Sequence, residues 1–183
     1  MTAVVGIDPS LTSCGIAVLA ADGHTRTWSV GHAGRDGANW AQRSDRIVAQ
    51  TRLVLRQIPA DAALVVVEDM PTMRHVLPSF IDRCALWFGL YSALRSRGTP
   101  IAVVNPKTRA KWATGNGNSG KRDVLAAVRA DWPDLQIPND DCADALTLAA
   151  MGALHLGRDL PFEIRRRHHA GIENIAWPEE ATR

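Results

Sequence analysis

VVGIDPSLTSCGIAVLAADGHTRTWSV, residues 4–30, decides the fold. It holds three short strand-like runs, at 3–8, about 15–20 and about 25–31, and the last two are separated by Asp22-Gly23, a favoured two-residue hairpin turn. An antiparallel meander therefore opens the chain, and its first run closes on Asp8. A helix is predicted over about 40–58, with Asn39 as N-cap, Ile47, Val54, Leu55 and Ile58 on one face, and Pro59 as the stop. ALVVV at 63–67 is the nearly continuous apolar run of a central strand covered on both faces, and it ends on Glu68.

The helix predicted at about 78–97 carries Leu86, Trp87, Phe88, Leu90, Tyr91 and Leu94, too many for one stripe. Burial on more than one side is expected, as a central core helix or with part of the face at a dimer interface. Residues 100–104 give a further strand, and Asn105-Pro106 starts a short helix with the cap-then-proline pattern. A glycine-rich loop at 115–120 leads into a helix over about 121–131, and the last helix covers about 140–156. This order predicts an α/β protein: a mixed five-stranded sheet, antiparallel meander then parallel strands, with helices on both faces. Residues 1–157 form the expected domain. Residues 158–183, with RRRHH at 165–169, read as a basic, solvated C-terminal tail.

A chain of 183 residues, 46% hydrophobic, suffices for one buried core. Its extended apolar stretch, 84–94, is shorter than the roughly 20 residues of a membrane span, and a strand-like run stands where a signal sequence would be. A cytoplasmic protein away from membranes is expected. Cys14, Cys84 and Cys142 form no C-x-x-C pair, which argues for reduced thiols and against a zinc site. Net charge is only +2, yet the segment 95–129 holds eight Lys or Arg against the single acid Asp123. All three lysines of the chain, Lys107, Lys111 and Lys121, fall there, and a role near phosphate follows.

The acids carry the chemistry. Ligands of such sheets gather at the carboxyl ends of strands, where Asp8 and Glu68 lie. Asp141 and Asp144, spaced i,i+3, share one face at the start of the last helix. Like charges about 4 Å apart repel by roughly 1 kcal/mol in water and about 4 at an effective dielectric of about 20, so converging carboxylates call for a cation. Oxygen-only ligands favour Mg²⁺ or Mn²⁺, and two such ions can drive phosphodiester hydrolysis. Singly, each acid has a plainer role: Asp8 before Pro9 in a turn, Glu68 paired with an arginine, Asp141 or Asp144 at a helix N-terminus. Asp140 competes with Asp141, and the i,i+3 spacing favours Asp141. GNGNSGK at 115–121 satisfies G-x-x-x-x-G-K, but Arg122 replaces the Ser or Thr of a P-loop and KTRAKWAT before it is helix-like, whereas a P-loop follows a strand.

Taken in order, GIDPSLTSCGIAV, VVVE, TGNGNSGK and DCADALTLA resemble the RuvC family of Holliday-junction resolvases, within the RNase H-like nuclease superfamily, over roughly residues 3–156. The resemblance implies a Mg²⁺- or Mn²⁺-dependent endonuclease with two ions per active site. It also implies a homodimer that makes paired nicks in strands of like polarity at a four-way DNA junction. On this resemblance Asp8, Glu68, Asp141 and Asp144 are the metal ligands and Lys121 the active-site lysine. Lys111 matches a second lysine across an altered interval, with Lys107 as substitute. Arg109 and Arg122 join them as expected DNA contacts. The loop after Glu68, DMPTMRHV, lacks the aromatic wedge of the family, and Met73 and Arg74, beside Met70, are expected to take its place on DNA. A broader cutter of branched DNA, a nuclease for RNA–DNA hybrids and a silent junction-binding protein remain as alternatives.

Overall fold

The computed structural model describes residues 2–70 and 78–179. Its strands are β1 (Val4–Asp8), β2 (Cys14–Leu19), β3 (Thr25–Val30), β4 (Leu64–Glu68) and β5 (Ile101–Val104). They form one sheet in the order β3-β2-β1-β4-β5. The pairs β1/β2 and β2/β3 are antiparallel, while β1/β4 and β4/β5 are parallel. This is the expected mixed sheet, an RNase H-like fold. The hairpin between β2 and β3 differs in detail. Ala20 N–H donates to the His24 carbonyl, which closes a three-residue loop in which Gly23 takes φ +85°, in place of a two-residue turn.

Among the described residues, α1 (Trp40–Leu55), α2 (Pro78–Ser96), α3 (Pro106–Thr114), α4 (Lys121–Asp131) and α5 (Asp140–His155) follow the predicted pattern, and a short α6 (Arg166–His169) forms in the segment expected to be a tail. Asn39 caps α1 in a capping box with Gln42, and Asn105 caps α3 through the Lys107 N–H. Alternation along the strands sends Val4, Leu64, Val66, Ala102 and Val104 to the face covered by α3, α4 and α5. Val5, Ile7, Ile16, Val65 and Val67 go to the face covered by α1 and α2. Full burial of such a side chain contributes about 1.5–3 kcal/mol.

α2 buries Leu86, Leu90 and Leu94 but leaves Ile81 52% and Phe88 56% exposed, so the described residues of one chain cover it on one side only. The described part of the C-terminal segment is not a solvated tail. Leu160, Phe162, Ile172, Ile175 and Trp177 pack against the core, and His168 is fully buried between Trp112 and Phe162. Arg167 meets Asp131 at 2.8 Å, and Trp177 stacks on His155 at 4.1 Å. Apolar side chains among the charges are the cause: they leave water for the core, while Arg165 and Arg166 stay exposed. Among the described residues no helix is long and apolar enough to cross a membrane.

Candidate active site

Parallel pairing of β1 with β4, Ile7 opposite Val67, brings Asp8 and Glu68 side by side at one end of the sheet. α5 lies across β1 and β2 and delivers Asp141 and Asp144 to the same end. Two glycines permit that approach: a Cβ at Gly6 would stand 1.9 Å from the Ala145 carbonyl oxygen, and one at Gly15 2.0 Å from that of Asp141. Asn139 caps α5 through the Cys142 N–H, and its side-chain amide donates to the Ser29 hydroxyl at 3.2 Å. Thr27 donates to the Cys142 carbonyl at 3.1 Å, so β3 also fixes the start of α5. The Ser13 hydroxyl donates to Asp141 at 2.6 Å, and the Trp87 indole donates to the Glu68 carbonyl at 2.8 Å.

Electrostatics marks this end as overcharged. Burial, then the charges of Glu68 and Asp144, push the Asp8 carboxyl well above the usual carboxylate range. Burial likewise pushes Asp144 up to about 7, against the lowering effect of Arg109. Asp141 is among the charges that act on Asp8. Asp140 accepts from Lys121, whose ammonium lies 3.9 Å from Asp141, and this bond draws the Asp140 carboxyl below its ordinary value.

Arg109 is placed otherwise than its basic neighbourhood suggests. It is 7% exposed and bridges two of the acids, donating through Nε to Glu68 and through Nη1 to Asp144. Burial alone would lower its pKa, but those two carboxylates hold it above its ordinary value. A buried guanidinium turned inward is not a DNA-facing cation. The plainer reading of Glu68, an arginine partner, and its role in the acid cluster thus hold together. Helical period was the available signal, because two residues along α3 separate Arg109 from Lys107 by about 200°.

Lys107, Lys111, Lys121 and Arg122 are exposed, as surface contacts require. Trp112, fully buried, cannot stack on a nucleotide, and Cys142 is buried packing. The glycine loop is closed by its own bonds, Thr114 to Ser119 at 2.8 Å and Asn118 N–H to Asn116 at 3.0 Å, and it follows helix α3 rather than a strand. Met73 and Arg74 lie outside the described residues. Met70 lines a cavity of about 150 Å³ beside Asp8 and Glu68, walled by Phe80, Arg83 and Trp87.

Among the described residues no three His, Cys, Asp or Glu side chains stand as a finished metal cage. The donor set nevertheless suits a hard divalent ion. Arg109 faces Glu68, Asp144 and Asp8, Lys121 lies beside Asp141, and Asp8 is raised first by burial and then by the like charges of Glu68 and Asp144, as in a carboxylate group that an added cation would relieve.

The sequence is 31% identical over 158 residues to a crossover junction endodeoxyribonuclease RuvC of Acidiphilium cryptum, a match spanning 84% of this chain and 91% of the relative. It is 30% identical over 151 residues to the corresponding protein of Streptomyces griseus, spanning 80% of this chain and 72% of the relative. In fold it is similar to Thermus thermophilus RuvC, with TM-score 0.59 and 22% identity over 87% of this chain and 99% of that one. A second similar structure is T. thermophilus RuvC in complex with a Holliday junction substrate, with TM-score 0.63 and 24% identity over 85% and 94% of the two chains. No protein-family model matches the sequence.

Proposed function

This chain belongs to the RuvC family of crossover junction endodeoxyribonucleases, and on that premise we propose that it resolves four-way DNA junctions by paired hydrolysis at the acid cluster of β1, β4 and α5. The observation that carries the reading is that Asp8, Glu68, Asp141 and Asp144, from three elements far apart in sequence, come together at one end of the sheet, where Glu68, Asp144 and Asp141 all act on the buried Asp8 carboxyl. Asp8, Glu68, Asp141 and Asp144 would hold the Mg²⁺ or Mn²⁺ ions, two per site. When bound, such ions supply an activated water and charge stabilisation for the leaving oxygen.

The chain's own residues do the remainder. Ser13 orients Asp141 by its 2.6 Å bond. Lys121, exposed at the first turn of α4 and bonded to Asp140 beside Asp141, would offer its charge to a phosphate at the cluster, and Lys107 and Lys111 would extend that positive edge along α3. Paired nicks across a near-symmetric junction need two active sites related by a two-fold axis. The uncovered face of α2, with Ile81 and Phe88, supports a homodimer seated there.

The test is cleavage of a labelled four-way junction in Mg²⁺ or Mn²⁺, beside linear duplex, Y-fork and RNA–DNA hybrid, with Glu68→Gln as control. Symmetric nicks confined to the junction and lost in Glu68→Gln are expected. Preferred cutting of forks or hybrids would change the substrate, and binding without cleavage in either metal would make the protein a silent binder.

A further inference from the structure

Arg109 is left over by the chemistry just proposed. Its guanidinium is buried, and its Nε and Nη1 donors are spent on Glu68 and Asp144, so it meets neither solvent nor DNA in this arrangement. Any ion held by Glu68 and Asp144 has to approach carboxylate oxygens that now accept from this side chain. The backbone beneath it is fixed. Asn105 caps α3 at the Lys107 N–H, 3.0 Å away, Ala110, Trp112 and Ala113 are buried, and Trp112 packs on His168. Only the long side chain has freedom to withdraw.

Resting on the metal-site reading above, we infer that Arg109 is a resident counter-cation of the acid cluster. It holds Glu68 and Asp144 in place while the site lacks divalent ion, and it competes with the ion for these two carboxylates. Arginine suits the task, because its planar fork presents separate N–H groups to two acids at once, which a lysine ammonium does not. Without it, buried carboxylates would face each other unpaired, which is costly. The consequence is a metal site that fills only at higher ion concentration than its carboxylates alone would set. Arg109 is thus a positioning residue, acting through Glu68 and Asp144.

The experiment is calorimetric titration of Mn²⁺ into the full chain without DNA, for wild type, Arg109→Gln, Arg109→Lys and Glu68→Gln. Thermal unfolding in EDTA and in saturating Mn²⁺ accompanies it. Arg109→Gln is expected to bind Mn²⁺ about tenfold more tightly, the usual size of coupling between linked sites. It should unfold at lower temperature than wild type in EDTA and recover most of the difference in Mn²⁺, with Arg109→Lys in between. Unchanged or weaker Mn²⁺ binding by Arg109→Gln overturns the inference, and so does a loss of melting temperature of equal size in both buffers, the mark of a merely structural ion pair. Wild type that binds Mn²⁺, with Glu68→Gln that does not, keeps the metal-site reading standing whatever Arg109→Gln does. No binding by wild type or Arg109→Gln overturns both.

Discussion

Gly15 of β2 lies flat against Asp141 of α5, so close that a Cβ at Gly15 would stand 2.0 Å from the Asp141 carbonyl oxygen. That oxygen belongs to backbone, so neither side can yield without moving the helix. Gly15→Ala is therefore expected to lift the start of α5 and carry Asp141 and Asp144 away from Asp8. Overpacking of this kind costs about 1–3 kcal/mol, or several degrees of melting temperature in a domain of this size. Cleavage of a four-way junction should fall at least about a hundredfold at a temperature where circular dichroism shows the variant folded, the scale of losing one placed electrostatic group. Activity within about twofold of wild type would mean that this contact does not position the acids.

The edge of α3 makes a separate, electrostatic prediction. Lys107 and Lys111 are one helical turn apart and both exposed. If each neutralises one phosphate, Lys107→Ala and Lys111→Ala should each reduce the slope of log K against log salt by about one, with melting temperature unchanged. Binding isotherms at several salt concentrations decide it. An unchanged slope in both variants removes α3 from the DNA-facing surface.

What the sequence disclosed and what it hid divide along physical lines. β4 was legible because ALVVV at 63–67 leaves no polar position for solvent, and α3 because Asn105-Pro106 is a start signal that no strand uses. Both signals are local. The acids at the ends of β1, β4 and the start of α5 were legible because strand ends and helix starts have fixed places in an alternating fold. Arg109 was obscured by its company: charge density along 95–129 says nothing about which cation faces inward, and only the pairing with Glu68 and Asp144 does. The C-terminal segment was obscured likewise, since RRRHH draws the eye from Phe162, Ile172 and Trp177, which supply its hold on the core.

His168 gives that segment a pH signature. Its Nδ1 accepts from the Arg165 N–H at 3.1 Å, its ring packs between Trp112 and Phe162, and its Nε2 lies 3.9 Å from Asp131. Burial, aided by Arg167, lowers its pKa from 6.5 to about 4. The unfolded chain then takes up a proton near pH 6.5 that the folded chain refuses until about pH 4. Stability from this group is therefore complete above about pH 6.5 and is lost as pH falls toward 4, by at most about 3 kcal/mol. Urea unfolding between pH 4 and 7 should show this loss in wild type and a flatter profile in His168→Phe. Equal slopes in the two proteins would place the acid sensitivity elsewhere.

Phe88 offers the decisive probe of assembly. It projects from α2 56% exposed, next to Trp87, which packs inward and donates to the Glu68 carbonyl. A dimer seated on this face would therefore sit one residue from a contact that fixes the active site. Phe88→Asp places a charge in the proposed interface and, in the isolated chain, gives up only the edge contact with Trp87, so the variant should stay folded with a small fall in melting temperature. Sedimentation is expected to show a dimer for wild type and a monomer for Phe88→Asp at the same micromolar concentration. On a labelled junction the variant should make single nicks in either strand with loss of the coupled pair, since two sites are no longer held about one axis. A Phe88→Asp protein that stays dimeric and still cuts in pairs would move the interface off α2, and the exposed Ile81 and Phe88 would then need a different partner.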